Sequence, residues 1–148
     1  LLKSIFERSR ANNLEHGITG VLCVYHGGNV FLQALEGSRV AVNALYCDIV
    51  RDPRHRDVTL LDYAEITERR FASWRMGSVN LNRVNLGTIL RFSESPVLDP
   101  FSMSGPASLA LEAKSGATTA RCGKESSLDT WTSLIVGRRS RKAARARR

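Results

Sequence analysis

The sequence predicts an α+β sandwich, in which two helices lie on one face of a mostly antiparallel sheet. Three observations carry it. Leu2, Ile5, Phe6, Ser9 and Asn13 recur at i, i+3, i+4 spacing, so residues 1–14 read as an amphipathic helix. Two β-rich runs, 18–25 and 30–35, flank the turn-forming His26-Gly27-Gly28-Asn29 and read as a hairpin. Beyond them, Val42, Leu45 and Ile49 mark the inner face of a second helix over 39–51.

The remaining boundaries follow from punctuation. His16-Gly17 stops the first helix, Gly17 suiting the left-handed position after a helix end. Glu36-Gly37-Ser38 leads into the second helix and Pro53 ends it. Residues 58–66 form a further strand, and 75–81 a short one after the Arg69-Arg70-Phe71 turn. The order helix, strand, strand, helix, strand, strand lacks only a leading strand to complete a ferredoxin-like β-α-β-β-α-β pattern. Leu1 stands in helical register with no capping residue before it, so that strand is expected upstream of this sequence. Residues 84–93 and 104–114 predict two further helices that cap the open face of the sheet.

The net charge of +8 belongs to one segment. Residues 115–148 hold nine Lys/Arg and two Asp/Glu, leaving thirteen basic and twelve acidic residues in the first 114. The folded part is therefore about neutral, and Ser, Thr, Gly and Arg after Lys114 predict a basic, disordered tail. The expected division is 1–82 for the main domain, 83–114 for the capping helices and 115–148 for the tail. No apolar run is long enough for a membrane span. Cys23, Cys47 and Cys122 have neither disulfide nor zinc spacing, which suits a reducing cytoplasm.

One polar residue breaks the second hairpin strand. Alternation puts Gln33 on the same face as Phe31 and Leu35, where a primary amide must find hydrogen-bond partners indoors. A glutamine satisfied by nearby backbone is the plain alternative. Asn13, on the apolar face of the first helix with Asn12 before it, points toward the same gap between helix and sheet. Two amides offer donors and acceptors together, which suits the edge of a flat heterocycle. Asp52, Arg54 and His55 border that gap at the exit of the second helix. Trp74 and Met76 share a strand face, ordinarily a core feature and also adaptable packing beside an aromatic ligand.

Four motifs in this order resemble the BLUF family of blue-light sensors. They are Asn12-Asn13 with Gly17-Ile18-Thr19-Gly20, Phe31-Leu32-Gln33 with Leu35-Glu36-Gly37, Asp52 with Arg54-His55, and Phe71 with Trp74 and Met76. The resemblance covers about residues 1–81 and implies flavin adenine dinucleotide (FAD), held non-covalently between the two helices. It implies that Asn13, with Asn12, bonds the pyrimidine edge of the flavin, and that Asp52, Arg54 and His55 surround its other carbonyl side and ribityl chain. Ile5 and Ile18 would pack the ring. Gln33 would be the switch glutamine, rotated or tautomerised after light-driven electron transfer from a tyrosine on the family's first strand, with Met76 and Trp74 as its responsive neighbours. That tyrosine has no counterpart here, since Tyr25, Tyr46 and Tyr63 match other positions.

The implied protein is a photoreceptor without catalysis of its own. No nucleophile–base pair, metal spacing or phosphate loop is visible. Its signal would pass to a separate downstream signalling protein or through a homo-oligomer, with no membrane partner. Two other readings remain open at this stage. One is a photochemically inactive BLUF-like scaffold for protein–protein contact. The other is nucleic-acid binding through the basic 138–148 tail, disfavoured because no groove-reading motif accompanies it.

Overall fold

The structure, a computed structural model, describes residues 11–13, 15–25, 29–72, 75–80, 85–116 and 130–139. Residues 11–13 are helical, and Gly17 adopts φ +63°, the left-handed turn that ends the helix. Strands β1 (Thr19–Tyr25) and β2 (Val30–Ser38) form the antiparallel hairpin, with Gln33 opposite Leu22. Helix α1 (Arg39–Arg51) starts where the Ser38 hydroxyl accepts the Ala41 N–H at 3.3 Å. It is followed by β3 (His55–Ile66) and β4 (Arg75–Asn80). A single short turn, α2 (Leu86–Leu90), precedes α3 (Gly105–Gly116).

Three expectations change. Strand β3 begins at His55 rather than at 58, because a bulge between Arg56 and Thr59, with Asp57 at φ +53°, lets pairing continue past the irregularity. The helix expected over 84–93 shrinks to Leu86–Leu90. Beyond it Ser93, Ser95 and Asp99 accept the backbone N–H groups of Ser95, Val97 and Phe101 at 3.3, 3.2 and 3.1 Å, holding turns in place of helical bonds around Pro96. The largest correction concerns the tail. Within the segment expected to be disordered, Thr130–Arg139 forms strand β5.

Strand β5 completes the sheet in the order β3-β5-β2-β1-β4, antiparallel to both of its neighbours. The fold class is the expected ferredoxin-like α+β, and β5 fills the slot beside β2 that a leading strand would take. Leu134-Ile135-Val136 explains the placement, since all three are fully buried and a central slot satisfies both rows of backbone groups. Arg138 anchors the end, 3.6 Å from Asp57 and 4.5 Å above the Phe101 ring. Composition misleads here because the charged flanks outnumber the short apolar run.

The sheet buries a different core on each face. Ile18, Phe31, Leu35 and Ile135 pack under Val42 and Ile49 of α1. Val21, Cys23, Leu32, Ala34, Leu134 and Val136 pack against Leu98, Met103 and Leu111 on the opposite side. Each fully buried leucine contributes about 1.5–3 kcal/mol relative to exposure. The edge strand β3 is guarded by exposed Arg56, Asp57 and Glu65.

Candidate functional site

On the α1 face of the sheet one polar side chain of β2 stands among apolar neighbours. Gln33 lies midway along β2, 8% exposed, between Leu22 of β1 and Ile135 of β5. Strand geometry aligns its amide with Phe31 and Leu35. Asn13 is 1% exposed at the helix end. Its carbonyl accepts the Ile18 N–H at 2.8 Å, which seats Ile18 in the same core as Leu35. The Asn13 side-chain Nδ2 is buried and has no hydrogen-bond partner among the described residues. A buried amide donor in this state costs about 1–3 kcal/mol unless an acceptor arrives.

Asn12 differs from its neighbour. It is exposed, and its carbonyl accepts the His16 N–H at 3.3 Å and lies 2.8 Å from His16 Nδ1. That is a helix-ending role.

The Asp52 group stands at the far end of α1. Arg54 Nε donates to both Asp52 carboxylate oxygens at 2.9 and 2.8 Å, its Nη2 also bonds Oδ2, and its backbone N–H donates to Oδ1 at 2.9 Å. The Arg54 side chain holds the Asp52 carboxyl below the ordinary carboxylate range, and the bond in turn raises the Arg54 pKa. Asp52 thereby fixes the guanidinium while part of it stays exposed, free to meet further acceptors. His55 links this group to the sheet: its ring lies 4.9 Å from that of Phe31.

Met76 falls on β4, beside the Gly20/Val21 irregularity of β1. Its side chain, with Trp74 and Ile5, lies outside the described residues. Ile18 thus shares the α1-side core with Phe31 and Leu35, the strand neighbours of Gln33, Asn13 holds Ile18 through its backbone, and His55 meets the same core through the Phe31 ring.

Three features escaped sequence reasoning. Glu36 is fully buried and accepts the Arg70 and Phe71 backbone N–H groups at 3.0 and 2.9 Å, fixing the loop ahead of β4. Burial pushes its carboxyl pKa up against the pull of those two donors. Arg69 braces the same loop, donating to the Gly17 carbonyl at 2.7 Å and to Thr19 Oγ1 at 3.1 Å. On β5, the Trp131 ring stacks on Tyr63 at 4.9 Å, with the Arg39 guanidinium 4.2 Å over it. Only the run Ser133-Leu134-Ile135-Val136 could have revealed β5, as a short apolar stretch rich in β-branched neighbours.

The family model "BLUF: Sensors of blue-light using FAD" matches residues 1–77. Photoactivated adenylate cyclase subunit beta of Euglena gracilis is 40% identical over 78 residues, which are 52% of this chain and 9% of that protein. The chain therefore spans about a tenth of that relative, and the family's description is that of a sensor. Among solved structures, BlsA in its photo-activated state superimposes with a TM-score of 0.68 at 28% identity, over 84% of this chain and 85% of that one. A bacterial light-regulated adenylyl cyclase gives 0.53 at 38% identity, over 61% of this chain and 26% of that one. No helix among the described residues is long and apolar enough to cross a membrane. The chain belongs to the BLUF family, sensors of blue light using FAD.

Proposed function

We propose that this chain is the light-sensing part of a photoreceptor, with FAD bound non-covalently between the Asn13 helix end and α1. The observation that carries the reading is the buried Asn13 Nδ2, unpartnered among the described residues, on the residue whose carbonyl holds Ile18 in the α1-side core. When bound, FAD supplies the blue-absorbing, redox-active ring. Asn13 donates to a carbonyl of that ring, Ile18 packs against it, and Arg54, oriented by Asp52, meets its polar side with His55. Gln33 carries one acceptor and two donors, so rotation of its amide exchanges which of them faces the ring. That exchange biases β2 and its neighbours and is read by a separate signalling protein.

One observation favours a second reading, a flavin-loaded scaffold with little photochemistry. Strand β5 reads TWTSLIVGRR, and the residue opposite Gln33 on it is Ile135, which has no O–H group to share in the switch. Spectra of the purified full chain with FAD, before and after blue light, separate the two. A reversible red shift that disappears in Gln33→Leu, with flavin retained, is the expected result. Bound flavin without any shift leaves the scaffold, and a chain that takes up no flavin overturns both readings.

A further inference from the structure

We propose that the Ser133 hydroxyl, on a strand outside the family-matched residues 1–77, is a flavin-contacting group. The proposal rests on the FAD reading above and extends its site to the carboxyl-terminal strand. Ser133 stands opposite Leu35 on β2 and Tyr63 on β3. Both of those side chains pack in the α1-side core, so the pleat turns Ser133 to that face. Gln33 is its diagonal neighbour across the β2–β5 pair, a relation that sets Cβ atoms within about 7–8 Å. One flat ligand edge spans that distance.

The state of the hydroxyl points to an occupant. Ser133 is 0% exposed, and its Oγ has no hydrogen-bond partner among the described residues. Asn13 Nδ2, on the residue whose carbonyl holds Ile18 of the α1-side core, is likewise buried and unpartnered among the described residues. A hydroxyl both donates and accepts, so it fits a rim on which carbonyl oxygens alternate with ring nitrogens. Thr132 supplies an internal comparison. Its Oγ1 is also buried and unpartnered, but it stands opposite Glu36 and faces the other core with Leu134 and Val136.

The test titrates FAD into flavin-free full-length chain by fluorescence and measures urea unfolding of the flavin-free protein. Ser133→Ala is expected to weaken FAD binding about five- to tenfold while leaving the flavin-free protein as stable or slightly more so, since it removes an unsatisfied hydroxyl. The bound flavin's carbonyl or ring vibrations should shift as a bond is lost. Thr132→Ala should leave both affinity and spectrum unchanged. Unchanged affinity in Ser133→Ala, above all with a loss of flavin-free stability, overturns the proposal and assigns the hydroxyl to an internal water. Equal loss of affinity in Thr132→Ala overturns it too, as a general effect on β5. A wild-type chain that binds no FAD overturns the flavin reading together with this contact.

Discussion

Strands β2 and β5 lie side by side at the centre of the sheet, yet their sequences announce them very differently. Strand β2 is buried from Val30 to Gly37, follows a glycine turn and carries a family motif. Strand β5 is buried just as deeply at Leu134, Ile135 and Val136, but it emerges from a segment of serine, threonine and arginine. The difference teaches that centrality is a property of pairing. A strand with partners on both sides has all its backbone groups satisfied wherever it lies in the chain, so a run as short as Leu134-Ile135-Val136 is enough to hold it at the centre. The two strands also divide the chemistry. Strand β2 brings the amide of Gln33 and the carboxyl of Glu36, whereas β5 brings three buried hydroxyls, those of Thr130 and Thr132 on one face and that of Ser133 on the other.

If the two strands are equal members of the core, equal truncations should cost alike. Leu32 and Leu134 are both fully buried in the core that packs against α3. Leu32→Ala and Leu134→Ala should each destabilise the protein by about 2–5 kcal/mol. Chemical denaturation of the full chain checks this. A near-neutral Leu134→Ala beside a costly Leu32→Ala would break the equivalence and remove β5 from the core.

Glu36 marks where the strands diverge, since β2 alone reaches through a buried carboxylate to the loop before β4. Glu36→Gln keeps one acceptor and turns an amide N–H₂ toward the other backbone donor, at a cost of about 1–3 kcal/mol. The pH dependence has a definite sign. Burial raises the folded-state pKa of Glu36 despite Arg69 and Arg70 nearby, so its contribution is full below the unfolded value and declines as pH rises through the folded one. Glutamine does not titrate. The wild-type advantage over Glu36→Gln should therefore shrink from acid toward neutral pH in urea titrations, and an advantage that grows with pH would mean that the two backbone donors outweigh burial.

Much of this molecule is legible in its sequence, and the illegible parts share a physical cause. The hairpin, α1 and the Gln33 face follow from local periodicity and from turn residues next to them in the chain. Asn13 is legible as well, because helical spacing aligns it with Ile5 and Phe6 on the predicted face. Ser133 is not, because its position arises from pairing with Leu35 and Tyr63 on the adjacent strands β2 and β3, both far from it in the sequence. Glu36 likewise looks like a surface residue until the loop at Arg70 and Phe71 closes on it. Local signals show elements; they do not show which distant element fills a vacancy.

The smallest expected effect bears on the most detailed claim, the register of β5. Gly137 stands opposite Phe31, and a Cβ there would lie 2.5 Å from Phe31 Cζ and 2.7 Å from Cε1. The ring tip can move, though it already leans on His55 at 4.9 Å, so Gly137→Ala should cost about 1 kcal/mol, the low end for overpacking. A slip of one residue would send every β5 side chain to the other face and put Arg138 or Val136 where Gly137 now passes under the ring. In that register Gly137→Ala would be neutral, and Ser133 would face away from Gln33. Thermal melts of Gly137→Ala thus test the pairing on which the placement of Ser133 depends. A measurable loss of stability keeps Ser133 and Gln33 on one face, and the absence of any loss separates them.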